Sequence, residues 1–483
     1  MDKWAAKLSQ DALLVLSGLP RGSEFGFDGR LWVVDQFAGV KFLPAGLHFF
    51  VFSAAPTSTS DSPSASTEHG VGARHGLLRF FRRGERVVLE WDNAREEVKR
   101  APGAPPPKRR RTTAQAPADD TARETVISEE YLQSLDKSLA AYPADELREQ
   151  WGGLAGFVSE GTLARVVGLD EQACALCDAL MGSSQDEAGA VPGGPSARRT
   201  WGKEREEEPE VREVVDVDDG EGEGGAVDKE VSAAPPDSGL LEFVRFDDRR
   251  SWPEGAVGAE LTRWSKDKSW QLSRVVQEQL QNEPKELLAE LQLAFILFTL
   301  VHNFSSLSTY KALFSLICRA STLAHPASRR QDDTSTYTAD LLAESALPLF
   351  ASFLSTFHAQ VDFLEETFFT TQLPSLEQHL LDSLGHLSQA LSDALPAWEE
   401  LGARDAQVAG VWREVVRRWD ALAKATTAKF GWDLGIIRGS RAKYLSTAGR
   451  SQRDDDEVDL EDLEEGEDAP VVVDDEGLQE YYG

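Results

Sequence analysis

The clearest hydrophobic pattern in the chain is a stripe of leucines that repeats at the 3.6-residue period of an α-helix. Its members are Leu376, Leu380, Leu381, Leu384, Leu387, Leu391 and Leu395. Ser375 and Gln378 have the spacing of a capping box at its start, and Pro396 is predicted to end it. The stripe therefore predicts one long amphipathic helix that packs on its leucine face.

Helical periodicity extends over most of the second half of the chain. A second stripe consists of Val408, Val411, Trp412, Val415, Trp419, Leu422 and Phe430. Further helices are predicted near 259–282, 285–303, 306–324 and 336–369. Consecutive helices joined by short loops indicate a bundle or an α-solenoid, so residues 238–450 are predicted to form an all-helical domain.

Before residue 100 the pattern changes to short apolar runs separated by Gly and Pro, which indicates strands. The runs are 13–16, 31–34, 39–43, 47–52, 77–81 and 87–91. Residues 82–85 have the length of a hairpin loop between the last two. The predicted fold class is α+β multidomain, with a β-rich sandwich or barrel in residues 1–182 that ends in short helices, followed by the all-α domain.

Charge and composition separate these domains from segments that are not expected to fold. Of the net charge of −32, residues 203–230 supply −9 (13 acidic, 4 basic) and residues 454–483 supply −15 (15 acidic, no basic). Such segments bury too little apolar surface to fold. We therefore predict an insertion at 101–122, a disordered acidic linker at 183–237 and an acidic tail at 451–483.

The remaining charge, −8, leaves the folded parts only mildly acidic, which disfavours direct binding to RNA or an anionic membrane. Three cysteines are too few for a disulfide framework, and no signal peptide is recognisable at the start. These features predict an intracellular protein whose partners are proteins.

The search for catalytic motifs finds no phosphate loop, no dinucleotide fingerprint and no nucleophile elbow, so no enzyme activity, cofactor or metal is predicted. Cys174 and Cys177 form a C-x-x-C in a predicted helical context rich in Ala and Leu and are interpreted as structural thiols. His48 lies in an aromatic strand, where a hydrogen-bonded core histidine is expected. His379 and His386 face away from the leucine stripe and are expected to be solvated.

Two motifs outside the predicted domains suggest interactions. Lys108–Arg111 (KRRR) follows three prolines and fits either a nuclear localisation signal or a basic spot in a linker. In the tail, residues 469–474 (APVVVD) form a strand-prone island between acidic blocks. The island fits either residual hydrophobicity or a donor strand that adds to the sheet of a partner. Its candidate partner-binding residues are Pro470, Val471, Val472 and Val473.

Several segments together carry a resemblance to a known family. Residues 22–28 (GSEFGFD) and 37–49 (FAGVKFLPAGLHF) resemble the N-terminal signature of the AAR-two splicing-factor family. Segments 91–98, 252–256, 288–295, 316–319, 429–433 and 469–473 agree with the family in order. The signature positions, structural or partner-facing, are Phe25, Gly26, Asp28, Gly39, Lys41, Pro44, Gly46 and His48. The chain departs from the family at Ala45, usually a second proline, and in its long insertions.

The resemblance implies a β-rich domain followed by a helical domain similar to VHS adaptors. It also implies a pre-mRNA splicing role, in which the protein binds the large scaffold protein of the U-five small nuclear ribonucleoprotein (snRNP) during maturation. Contacts with the RNase H-like and Jab/MPN-like domains of that scaffold would block premature docking of the helicase. A monomer that acts in cytoplasm and nucleus is expected.

Two other classes of function remain open at the level of sequence. A VHS-like helical domain alone would suit a trafficking or scaffold adaptor, which should co-purify with membrane coats. A cupin-like enzyme would need clustered metal ligands in the β domain, where His48, His69 and His75 are the histidines present.

Overall fold

The architecture is known from a computed structural model that describes residues 10–54, 74–93, 97–100, 134–170, 173–183, 240–247, 250–326, 345–435 and 437. The basic run 108–111, the predicted linker beyond residue 183 and the tail island 469–474 lie outside the described residues. The predicted domain boundaries stay predictions.

The N-terminal part is rich in β-strands, as the sequence predicts. The strands in the described ranges are β1 (Ala12–Ser17), β2 (Glu24–Phe27), β3 (Arg30–Val33), β4 (Gly39–Leu43), β5 (Gly46–Ser53), β6 (His75–Phe81), β7 (Arg86–Asp92), β8 (Glu97–Arg100), β9 (Leu139–Ala141), β10 (Cys174–Asp178), β11 (Gly182–Ser183) and β12 (Leu240–Leu241). Sheet A has the order β8-β7-β1-β4-β9, and sheet B has the order β10-β6-β5-β2-β3. A short parallel pair, β11 and β12, joins the β-rich part to the chain that precedes the helices.

The predicted hairpin between β6 and β7 is wrong. Strand β6 pairs with β5 and β10 in sheet B, whereas β7 pairs in parallel with β1 in sheet A. The turn therefore carries the chain from one sheet to the other. Glu85 stabilises this crossing because its carboxylate accepts hydrogen bonds from the backbone N–H of Arg82 (2.8 Å) and from Arg79 Nη2 (2.5 Å).

Helices form the C-terminal part and a short region after β9. They are α1 (Ala144–Ala155), α2 (Glu160–Val166), α3 (Ala259–Lys266), α4 (Ser269–Gln279), α5 (Pro284–Ile296), α6 (Phe304–Cys318), α7 (Ser321–Ala324), α8 (Ala346–Phe363), α9 (Phe368–Thr371), α10 (Pro374–Gly402) and α11 (Ala406–Phe430). A π-helical turn, Leu297–Val301, follows α5. None of the described helices has the length and apolar character needed to cross a membrane.

The leucine stripe is confirmed, but both predicted ends of its helix are wrong. Leu376, Leu384 and Leu391 are buried on the core face of α10. The helix begins with Pro374 in its first turn, so Leu373 rather than Ser375 is the N-cap, and no side-chain cap bond forms. Gln378 instead donates to Asp382 Oδ1 (2.7 Å) within the helix.

Helix α10 continues through Pro396 to Gly402. An interior proline costs about 3 kcal/mol, and packing of the next turn offsets this cost. Trp398 is buried, stacks on Trp412 of α11 with 5.6 Å between ring centroids, and donates from Nε1 to Ala324 O (2.7 Å).

The core has three layers, because sheet B lies between sheet A and the helices. One set of side chains from β5 and β6, including Phe50, Phe52 and Leu77, packs towards sheet A. The alternate set, including Phe49 and Leu78, joins the helical core. Strand β5 is consequently buried on both faces, which explains why its sequence is apolar without alternation.

Candidate partner-binding surface

The signature positions come together around a buried carboxylate, that of Asp28. Its Oδ2 lies 2.6 Å from His48 Nδ1 and accepts a hydrogen bond from the hydroxyl of Tyr142 (2.6 Å). Its Oδ1 accepts from the backbone N–H of Phe49 (2.9 Å). His48 Nε2 lies 2.8 Å from Pro44 O, so the ring joins Asp28 to the turn between β4 and β5. The predicted core histidine is confirmed.

This network is shielded from water, and the environment keeps Tyr142 protonated. Asp28 and His48 are almost fully buried. Burial, followed by the negative charge of Asp28, raises the pKa of the Tyr142 hydroxyl well above its usual value. The network therefore serves as a fixed support for the β4–β5 turn.

The glycines of the signature are required by close packing of the backbone. Gly39 has a φ of 136°, and a Cβ at this position would lie 2.0 Å from Leu14 O. A Cβ at Gly26 would lie 2.3 Å from Arg30 O. Both positions therefore exclude a side chain.

The remaining signature side chains tie the sandwich to the segment before α1. Lys41 Nζ donates to the carboxylate (2.5 Å) and the backbone oxygen (3.1 Å) of Asp136. Phe25 packs against Phe37, with ring centroids 4.1 Å apart. Of the eight signature positions, Lys41, Pro44 and Gly46 are partly buried and the others are buried, while Ala45 in the β4–β5 turn is exposed.

That turn borders a cleft of about 550 Å³ between the sandwich and α1. Pro44, His48 and Tyr142 lie on one side, and Arg148 and Trp151 of α1 lie on the other. Trp151 Nε1 donates to Leu47 O (2.7 Å), which holds α1 against β5. In the described part of the chain, no group of three or more His, Cys, Asp or Glu side chains has the arrangement of a metal site.

Buried polar side chains of α5 form hydrogen bonds between the helical region and the N-terminal part, and we call these contacts latches. Gln292 accepts from the Phe157 N–H (2.8 Å) and donates to Gly153 O (2.9 Å). Glu290 accepts from the Val244 N–H (2.9 Å) and pairs with Arg165 of α2. The two regions are therefore joined by hydrogen bonds as well as by a shared apolar core.

A third latch lies at Asn303, the N-cap of α6. Its side-chain oxygen accepts from the Ser306 N–H (2.7 Å), while its Nδ2 donates to Asp178 O (3.1 Å) and Met181 O (2.8 Å). Sequence reasoning missed the roles of Asn303, Glu290 and Gln292. The available signal was that each is a polar residue within an apolar run.

The C-x-x-C lies in strand β10, not in a helix, because these residues complete the edge of sheet B beside β6. Both sulfurs are buried. Burial raises the pKa of the Cys174 thiol to about 11 and raises that of Cys177 further. Thiols held in the protonated form fit the structural interpretation.

The expectation for the two helix histidines is half correct. His386 is exposed, whereas His379 is half-buried and its Nε2 lies 2.9 Å from Lys311 O. Helix α10 packs on α6 at this position, which the leucine stripe alone did not reveal.

The fold and its latches define a class of protein: a two-region protein in which a β sandwich and a helical region are fixed to each other. Comparison with known proteins then gives the family. The family model described as "AAR2 N-terminal domain" matches residues 10–168, and the one described as "AAR2 C-terminal repeat region" matches residues 243–435. The chain belongs to the AAR2 family, whose members are non-enzymatic factors in splicing and snRNP assembly.

Curated relatives agree with this assignment. The chain is 28% identical over 319 residues to the AAR2 homolog of Homo sapiens, which covers 64% of this chain and 70% of the human protein. It is 29% identical over 320 residues to the homolog of Macaca fascicularis, with the same coverage. The homolog of Caenorhabditis elegans is 28% identical over 156 residues, covering 32% of this chain and 34% of that protein.

Proposed function

We propose that this protein binds the large scaffold protein of the U-five snRNP while the particle matures, and that this binding holds off premature docking of the RNA helicase. Membership of the AAR2 family, matched over both regions, carries the proposal. The contacts on the partner would be its RNase H-like and Jab/MPN-like domains. The protein would act in cytoplasm and nucleus, as a monomer before the complex forms and without RNA affinity of its own.

The latches at Glu290, Gln292 and Asn303 support this function physically. A factor that contacts two domains of one partner gains affinity when its own two regions are held in a fixed arrangement, because less freedom is lost on binding. The acidic balance of the chain supports a protein partner, since phosphate backbones bind to basic surfaces.

Affinity purification from cell extract, with this protein as bait, tests the proposal. The scaffold protein is expected in the recovered complex, and the helicase is expected to be absent from it. Recovery of membrane coat proteins instead would favour the adaptor alternative, and a stoichiometric helicase in the same complex would contradict the exclusion role.

The tail island is proposed as the strand that adds to the Jab/MPN-like domain. Val472→Pro removes one N–H donor and disfavours extended pairing. We expect binding to that domain to weaken about tenfold, or about 1.4 kcal/mol, while the melting temperature of the free protein stays the same. Val472→Thr, which keeps β-branching and the N–H, is the matched control. Equal affinities of the proline and threonine variants would refute the role of the strand.

A further inference from the structure

Strand β3 is an exposed apolar edge. It is the outermost strand of sheet B and, among the described residues, it pairs only with β2. Leu31, Trp32 and Val33 are 40%, 43% and 73% exposed, respectively. Proteins usually protect such edges with charges, prolines or bulges. Within β3, Arg30 is the sole charged residue, so no other described feature of this strand protects the edge against pairing.

The backbone groups that face outward are those of Leu31 and Val33. Val34 exchanges hydrogen bonds with the β2 side, because its N–H donates to Ser23 O (2.9 Å) and its C=O accepts from Gly22 (2.8 Å). Bonding direction alternates along an antiparallel strand. Trp32 therefore also faces β2, and its two neighbours face away from it.

The sandwich is open beside this edge. A cleft of about 430 Å³ lies between β3 of sheet B and β9 of sheet A, which is the outer strand of its own sheet. Its lining is mostly apolar and includes Phe25, Phe27, Trp32, Phe37, Ala140 and Pro143. A strand added next to β3 would point every second side chain into this cleft.

Opposite charges mark the two ends of the edge. Arg30 begins β3 and Asp35 follows its end. Each has one ion pair with an exposed partner, Glu146 at 3.8 Å and Arg21 at 3.7 Å. Exposed pairs of this kind are weak and exchange readily. The edge therefore complements a segment that is basic at one end and acidic at the other.

We infer that the β3 edge binds an extended segment of a partner protein by strand addition. Because every pairing in sheet B is antiparallel, the segment runs antiparallel to β3. Its N-terminal end carries a basic residue near Asp35, its C-terminal end carries an acidic residue near Arg30, and alternate β-branched residues between them fill the cleft. This site is separate from the proposed tail strand, because here the protein accepts a strand and there it donates one.

A second copy of the chain is the main rival occupant, since a symmetric β3–β3 pair would also bring Arg30 near Asp35. A stable dimer usually buries about 1,200 Å² or more in total. A strand of four residues falls short of that area, whereas it suffices for a short peptide that gains main-chain hydrogen bonds.

The probe for this inference is the labelled peptide Lys-Val-Thr-Val-Thr-Glu, titrated with the full chain and followed by fluorescence anisotropy. Saturable binding is expected. The charge-swapped peptide Glu-Val-Thr-Val-Thr-Lys, of identical composition, should bind about threefold more weakly, in line with the loss of exposed ion pairs.

Val33→Pro is the decisive variant, because it removes a donor that faces outward and leaves the bonds to β2 in place. Peptide binding should weaken about tenfold or more, while the melting temperature stays within a few degrees and Val33→Thr binds normally. No saturable binding, or equal binding to the proline and threonine variants, would overturn the inference. So would a concentration-dependent dimer in sedimentation that Val33→Pro abolishes and the peptide does not displace. These outcomes are independent of the proposed function, which is tested by recovery of the scaffold protein and by the variants of the tail strand.

Discussion

Asp28→Ala is expected to destabilise the protein by about 4 kcal/mol, because three buried donors lose their acceptor and each such loss costs about 1–3 kcal/mol. The donors are the His48 ring, the Tyr142 hydroxyl and the Phe49 N–H. Asp28 also has a φ of 47°, which alanine adopts only with strain. Urea denaturation measures the loss as a lower free energy of unfolding.

Two control variants separate the contribution of the network to stability from the effect of any substitution of an aspartate. Asp28→Asn keeps an acceptor and tolerates the backbone conformation, so it should cost less than the alanine variant. Asp35→Ala, at an exposed ion pair, should change stability by no more than about 0.5 kcal/mol. An Asp28→Ala protein as stable as Asp35→Ala would show that the network contributes nothing.

The network also makes the stability of the folded protein depend on pH in the alkaline range. The raised pKa of Tyr142 means that its contribution is complete below the unfolded-state pKa of about 10 and is lost as the pH rises further. Tyr142→Phe should therefore reduce the fall in stability above about pH 10.

Glu290→Ala is expected to cost about 2–3 kcal/mol, because it leaves a buried N–H without its acceptor and removes the buried carboxylate of an ion pair whose Arg165 side is 35% exposed. The Val244 N–H would lose its acceptor, and Arg165 would lose the buried half of its ion-pair network. Glu286→Ala is the matched control. Glu286 lies one turn earlier on α5, is partly exposed and also contacts Arg165 (3.3 Å), and its removal should cost about 1 kcal/mol.

The charge on Glu290 makes this latch sensitive to pH. Burial raises the pKa of the Glu290 carboxyl, although Arg165 and the Val244 N–H oppose the shift. A raised folded-state pKa gives stability that is complete at acid pH and declines as the pH rises through the folded pKa. Relative to Glu290→Gln, the wild type should therefore lose stability as the pH rises above the unfolded-state pKa of a glutamate, about 4.3. If the free energy of unfolding of the wild type instead rose relative to that of Glu290→Gln as the pH increased, this direction would be contradicted.

Periodicity predicted the parts of the fold that depend on local sequence. The buried face of α10 follows from leucines spaced one turn apart, and the six apolar runs before residue 100 all form strands. His48 was predicted as a core histidine because an aromatic strand surrounds it. In each case the neighbours in sequence determine the environment.

The wrong predictions depend on partners that are distant in sequence. The parallel pairing of β7 with β1 decides that the turn after β6 is a crossing between sheets. Packing of Trp398 on Trp412 carries α10 past Pro396. The edge of sheet B beside β6 extends Cys174 and Cys177 into a strand. Similarly, Tyr142 joins the Asp28 site across 114 residues, which no local pattern could indicate.

The most direct measurement of the central proposal is a reconstitution from purified components. This protein, the linked RNase H-like and Jab/MPN-like domains of the U-five scaffold, and the helicase are mixed and separated by size-exclusion chromatography. The proposal predicts a stable complex of this protein with the scaffold domains, from which the helicase is absent until this protein is removed. Two results would contradict the account. In the first, the scaffold domains bind the helicase at full stoichiometry while this protein stays bound to them. In the second, this protein does not bind the scaffold domains at all.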